Sequence, residues 1–290
     1  MHAAIKIILN PMKKELKIMQ IGAIWLSTWW IFLSLGMLGW LFSLRHKSVN
    51  NVDTIWSMFF LTAALWVTMP QPQLSARQWL LVLLLAIWAV RLSAFLSLRN
   101  WGKTEDWRYA AMRNKRGRSF NWRSIYVVYL LQAAIAMVIF SGLLPGLLMS
   151  APIGPREVIA AGLALLGIGL EALADWQLYR FKSNKHNSGQ VLQSGLWAYT
   201  RHPNYLGESL FWWSLFALSV QSDTLWTVLS PVIMTFLLLR VSGVSMMEKG
   251  RTGINPAYQK YQQETAAFFP RFNRVAGKSV NQSQAKDNNL

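Results

Sequence analysis

The stretch GLWAYTRHPNYLGE, residues 195–208, carries the densest chemistry in the chain. Pro203 suits the first turn of a helix, where its missing N–H costs nothing, and the free N–H groups after it make an anion site. Arg201 and His202 stand at that entrance. Asn204 and Glu208 are four residues apart, so they share one helical face, and Tyr205 opens the apolar run that follows. A carboxylate inside an apolar segment is heavily penalised unless it is paired. This pair is therefore expected to hydrogen-bond a ligand or a neighbouring helix.

Four further constellations surround it. In EALADWQLYRFKSN, Glu171, Asp175 and Lys182 fall on one face of a helix. Acids beside a membrane helix imply a site or an ion pair, and Glu171 fits a structural partner such as Arg91 as well as a functional role. The segment RNWGKTEDWRY runs through Arg99, Asn100, Trp101, Lys103, Asp106, Arg108 and Tyr109; its cations suit phosphate and its aromatic faces suit a planar ring. A plain interfacial loop also collects such residues. Beyond Glu248, NPAYQKYQQETAAFFPRF places Tyr258 and Tyr261 on a short amphipathic helix, which either seals the bundle or closes over a ligand. In NVDTIWS, Asp53 reads either as a helix cap or as a proton donor.

These residues need a scaffold, and the composition names it. Of 290 residues 53% are hydrophobic and only 14% charged, which excludes an ordinary soluble domain and calls for a bilayer as solvent. Long apolar blocks run over 21–44, 78–98, 124–149 and 224–247, with shorter ones over 54–69, 158–175 and 205–220. About 20 apolar residues cross a bilayer as a helix, so the expected fold is an all-α polytopic bundle of about seven transmembrane helices. Residues 1–20 form an N-terminal segment, 21–275 a single membrane domain, and 276–290 a polar tail read as disordered. The first block is too long for a cleaved signal and stays on the protein.

The net charge of +17 is distributed by topology. With seven spans, 21 of the 29 Lys and Arg fall on one side and six on the other, placing the N-terminus outside and the C-terminus in the cytoplasm. Nucleic acid is not called for; the partner is the lipid bilayer. The absence of cysteine excludes thiol chemistry and disulfides, and four scattered histidines give no metal-ligand spacing.

RHPNYLGE, a later acidic residue and the PAYQKYQQETAAFFPRF ending together resemble the C-terminal half of membrane steroid 5α-reductases, above all their bacterial relatives. RNWGKTEDWRY and NVDTIWS look like the same branch. The resemblance implies a seven-helix bundle, here in a bacterial inner membrane, that reduces an enone-type double bond of an apolar small molecule with NADPH held on the cytoplasmic side. It implies that Asn204 and Glu208 face the nicotinamide end and that Asp175, Lys182, Tyr199 and Tyr261 contact the cofactor. Arg99, Lys103, Arg108, Lys182 and Arg201 are the cations on the expected inner face that suit its phosphates, and Asn100, Trp101, Asp106, Tyr109, His202, Tyr205 and Tyr258 fall in the same constellations. The reductases' substrate-facing Gln/Glu pair and tyrosine donor have no evident equivalents; Asp53 and Trp56 stand near the first. Isoprenylcysteine carboxyl methyltransferases share the RHPxYxG stretch and a similar ending, and imply S-adenosylmethionine on the same scaffold. A non-catalytic lipid-binding protein is the third reading.

Overall fold

The structure is a computed structural model that describes residues 2–241, 243–252 and 256–270. It is all-helical. The order is α1 (His2–His46), α2 (Asn51–Thr68), α3 (Ala76–Asn100), α4 (Trp107–Arg116), α5 (Phe120–Ser124), α6 (Leu131–Ser141), α7 (Leu144–Leu148), α8 (Pro155–Ser183), α9 (Pro203–Ser219), α10 (Leu229–Phe236), α11 (Val244–Thr252) and α12 (Pro256–Glu264). Among the described residues the sole β-type pairing is the bridge of Thr200 with Ala266.

Five helical stretches are long and apolar enough to cross a membrane: Ile21–His46, Ala76–Asn100, Trp107–Ser141, Pro155–Ser183 and Leu225–Glu248. Four of them contain or overlap the long apolar blocks. The fifth is longer than its apolar block of 158–175, because Pro155 opens the helix and the polar residues after Asp175 continue it to Ser183. The block over 124–149 is not one helix: the chain turns at Gly142, where a Cβ would lie 2.4 Å from that of Ser230, and restarts as α7 with Pro145 in its first turn. α2 and α9 have 18 and 17 residues, about 27 and 25 Å at 1.5 Å per residue, short of a bilayer core of about 30 Å. The expected N-terminal segment continues α1 back to His2. The polar tail over 276–290 lies outside the described residues.

Apolar side chains point both ways. Inside, Trp88 of α3 stacks on Phe211 of α9 at 5.2 Å and meets Trp212 edge-on at 5.5 Å, while Phe60 of α2 meets Trp212 at 4.8 Å. This aromatic block ties α2, α3 and α9 together by burial, with the edge-on geometry adding to it. Outside, Leu83, Ile87 and Val90 of α3 and Val158, Leu165 and Leu166 of α8 stay exposed, as suits helices dissolved in lipid rather than water.

The contact that positions the site joins α8 to α9. A Cβ on Gly167 would lie 2.7 Å from the Gly207 carbonyl oxygen, and one on Gly207 would lie 2.6 Å from the Gly167 oxygen and 2.7 Å from the Glu171 nitrogen. Only glycines allow two backbones this close, and in lipid such approach is a main source of helix association. Glu171, one turn beyond Gly167, and Glu208, next to Gly207, are consequently carried into the same layer. Gly207→Ala should destabilise the protein by about 1–3 kcal/mol, because backbone atoms, unlike side chains, cannot swing aside. Thermal unfolding in detergent checks this; an unchanged midpoint would mean that the helices are not in backbone contact.

Candidate functional site

Arg91 of α3 projects between α8 and α9 and meets two acids. Its Nη2 lies 2.5 Å from Glu171 Oε2 and its Nη1 donates to Asp175 Oδ2 at 3.2 Å. The other Asp175 oxygen, Oδ1, accepts from Asn204 Nδ2 at 3.2 Å. Glu171, Asp175 and Glu208 are all buried. The expected face of α8 therefore meets the expected face of α9, with Arg91 as the counter-charge. Glu208 makes no hydrogen bond and no ion pair among the described residues, and Asn204 Oδ1 is buried without a donor. One cation faces three carboxyl groups. Such a layer retains capacity to accept hydrogen bonds from a ligand, and among the described residues no group of acids and histidines is placed to hold a metal. Tyr205, stacked on His202 at 5.4 Å and nearly parallel, lies within electrostatic reach of Glu208, Asp175, Arg99 and Arg108.

The α3–α4 connection is a rigid polar latch. Asp53 Oδ2 accepts from Arg108 Nη2 at 2.8 Å and its Oδ1 accepts from the Tyr109 hydroxyl at 2.9 Å. Asp53 therefore sits in the first turn of α2 facing α4 and does not cap its own helix. Asp106 caps α4 by accepting from the Arg108 N–H at 3.0 Å and from Arg108 Nε at 2.8 Å. Glu105 takes two bonds from Arg113, at 2.7 and 2.8 Å, and one from the Val49 N–H at 3.0 Å. Burial opposes ionisation of Glu105, yet the Arg113 and Val49 hydrogen bonds prevail and hold its carboxyl below the usual range; at Asp106 burial is likewise outweighed by Arg108. Asn50 closes the latch, accepting the Asp106 N–H at 2.8 Å and donating to the Thr104 carbonyl at 3.1 Å. Trp101 and Lys103 remain exposed, and Arg99 donates from Nε to its neighbour Asn100 at 3.2 Å.

The C-terminal segment is fastened to the entrance of α9. Arg201 donates to Glu248 Oε1 at 2.8 Å and to the carbonyls of Gln262, at 2.7 Å, and Thr265. His202 Nε2 lies 3.2 Å from the same Glu248 oxygen. The Tyr261 hydroxyl donates to the Trp197 carbonyl at 2.5 Å, the Arg201 N–H donates to the Ala266 carbonyl at 2.9 Å, and the Thr200 hydroxyl donates to the Phe268 carbonyl at 2.8 Å. Tyr258, buried, packs edge-on against Tyr261 at 5.9 Å. Lys182 lies near the end of α8, and Tyr199 is half exposed before the Pro203 turn.

Twelve of the named residues fall into three groups. Asp175, Asn204, Tyr205 and Glu208 share the layer around Arg91. Asp53, Asp106, Arg108 and Tyr109 bind one another, and Arg201, His202, Tyr258 and Tyr261 anchor the C-terminal segment. Sequence reasoning passed over Asn50, Glu105, Trp197, Thr200 and Gln262, each with a partner tens of residues away, and Arg113, whose partner Glu105 stands eight residues before it. The acid pair Glu105–Asp106 before a basic helix was the one local signal for the latch.

Residues 39–265 match the family model described as "Protein of unknown function (DUF1295)". The chain belongs to this family. The family is one associated with steroid 5α-reductase-like proteins. The matched range takes in all three polar groups. An uncharacterized protein of Schizosaccharomyces pombe is 27% identical over 278 residues, a match covering 82% of this chain and 77% of the yeast protein. A yeast relative gives the bacterial assignment no support. No solved structure matches the chain.

In this DUF1295 member the load on Arg91 yields a prediction. Arg91→Leu strands Glu171 and Asp175 without a counter-charge and should cost about 3–5 kcal/mol, as removal of one partner from a buried ion pair does. Adding Glu171→Gln should recover part of that loss, since the stranded charge is then removed. Unfolding midpoints of the single and double variants check this; equal midpoints would show that Glu171 and Arg91 are not coupled.

Proposed function

We propose that the chain is a membrane-embedded reductase that uses NADPH to saturate an activated carbon–carbon double bond in a lipid-like or steroid-like substrate drawn from the bilayer. The observation that carries the reading is the half-satisfied layer of α8 and α9: a buried Glu208 without a hydrogen bond or close ion pair among the described residues, beside an Asn204 oxygen with no donor. A planar carboxamide offers two N–H donors to such acceptors, so the residues fit the nicotinamide end of the cofactor. The cofactor supplies a hydride when bound.

The chain's own residues have the remaining tasks. Arg91 fixes Asp175, Asp175 fixes the Asn204 amide, and Asn204 and Glu208 orient the bound ring from one helical face. The Tyr109 hydroxyl is held by Asp53, and Asp53 is itself neutralised by Arg108. Arg108 and Arg201 are engaged with carboxylates inside the protein, so phosphate contacts fall first to Arg99 and Lys103. Glu171, Asp175 and Glu208 are buried, and such exclusion of water strengthens every hydrogen bond within the layer. Seven spans, counting α2 and α9, with the N-terminus outside and the C-terminus in the cytoplasm, put this layer on the cytoplasmic side.

Purified protein should show a raised unfolding temperature with NADPH, because a ligand that binds only the folded state stabilises it. Glu208→Gln should weaken that binding about tenfold or more, the worth of one charge-assisted hydrogen bond, and slow NADPH oxidation with an accepted enone. Stabilisation by S-adenosylmethionine alone would replace the reading with methyl transfer; a response to neither would favour a non-catalytic lipid-binding protein. For the topology, reporters fused after Ser150 and after Phe272 should report opposite sides of the membrane. The same side for both would overturn it.

A further inference from the structure

A second feature begins at the opposite end of α8, at Arg156, 15 to 19 residues or about 22–28 Å along the helix axis from Glu171 and Asp175, and it extends along α9 from Ala217 to Leu210, two residues past Glu208. There α8 and α9 diverge around a groove of about 380 Å³. Ala160 and Ser214 form its floor, with Ile159 and Leu163 of α8 and Trp213 of α9 as walls. Both floor residues are buried, whereas Ile159 is 64% exposed, so the groove opens sideways from a helix long and apolar enough to span a membrane. The Ser214 hydroxyl donates to the Leu210 carbonyl at 2.7 Å, which leaves the floor without an unmet polar group. Such a surface fits a hydrocarbon chain.

The mouth is different. Arg156 lines it and is half exposed; its Nε and Nη2 bind Glu157 Oε1 at 2.9 and 2.5 Å, and Nη1 makes no hydrogen bond among the described residues. Glu157 Oε2 accepts the Gly154 N–H at 2.9 Å. Arg77 of α3 lies within electrostatic reach of both. It is fully buried and donates from Nη2 to the Met149 carbonyl at 2.6 Å, while its Nε and Nη1 have no acceptor. Two arginines thus face one carboxylate, with unmet donors on both guanidinium groups. A buried cation in this condition favours an anion nearby.

We infer that this groove is a binding site for an anionic phospholipid, with one acyl chain between α8 and α9 and the phosphate at Arg156, in the positive field of Arg77. The apolar floor selects the chain and the excess positive charge selects the headgroup. A zwitterionic headgroup carries its own cation to the same place and gains less. The charged mouth of the groove lies away from the Asn204–Glu208 layer and the proposal does not depend on the reductase reading, but its lipid would brace the same two helices.

Native mass spectrometry of the full chain, released from nanodiscs of equal phosphatidylglycerol and phosphatidylcholine with matched acyl chains, tests this. The expected result is preferential retention of one phosphatidylglycerol. Arg156→Gln should lower that preference about tenfold, the worth of one charge-assisted contact to phosphate, while Arg123→Gln at the other end of the bundle leaves it intact. Ala160→Leu, which fills the floor, should reduce retention of both lipids; if that variant fails to fold, Arg156→Gln decides. Equal retention of the two lipids by the wild-type chain, or an undiminished preference in Arg156→Gln, would overturn the proposal.

Discussion

Gly167 and Gly207 touch backbone to backbone, and the polar interior of the bundle follows from that touch. In hydrocarbon there is no hydrophobic gain from pressing two helices together, so close packing and satisfied polar groups have to hold them. The glycines supply the approach. They also fix register: with α8 and α9 locked at this level, Glu171 and Asp175 meet Asn204 and Glu208 within the next turns. A shift of one residue along either helix would rotate an acid towards lipid, where its cost would be several kcal/mol. Arg91, arriving from α3, makes the approach tolerable by neutralising the acids that it brings together.

The same logic orders the rest of the molecule. Charges are collected into compact sets, each with its own counter-charge: Arg91 with Glu171 and Asp175, Arg108 with Asp53 and Asp106, Arg113 with Glu105, and Arg201 with Glu248. The second set binds the start of α2 to the start of α4, the third ties α4 back to the connection that precedes it, and the last binds the C-terminal segment to the start of α9. A long helix from Trp107 to Ser141 can serve both the latch and the apolar core because it is not uniform. Its π-helical turns over Ile125–Leu130 re-aim the chain between the polar first part and the buried last part.

Where compensation is incomplete, the structure marks its sites. The layer around Glu208 has three carboxyl groups to one cation, and the end around Arg77 and Arg156 has two cations to one carboxyl group. The two imbalances have opposite sign and lie at opposite ends of the same helix pair. A donor-rich headgroup suits the first and an anionic one the second, and both would tighten the α8–α9 contact on which the fold rests.

The amino-acid sequence by itself determined the solvent and the class of fold. Apolar blocks of span length, few charges and a lopsided distribution of cations are properties of short stretches, and a bilayer acts on short stretches one at a time. It also placed Asn204 with Glu208 and Glu171 with Asp175 on shared faces, because helical periodicity is local. Which charges pair was decided only by the tertiary structure. Arg108 and Arg201 have the residue type of phosphate ligands, yet Asp53 and Glu248, 55 and 47 residues away, already engage them. An ion pair depends on distance in space, and nothing in the spacing along the chain encodes that distance. The break at Gly142, the Arg91 counter-charge and the meeting of Gly167 with Gly207 belong to the same class: each is a contact between segments that only packing brings together.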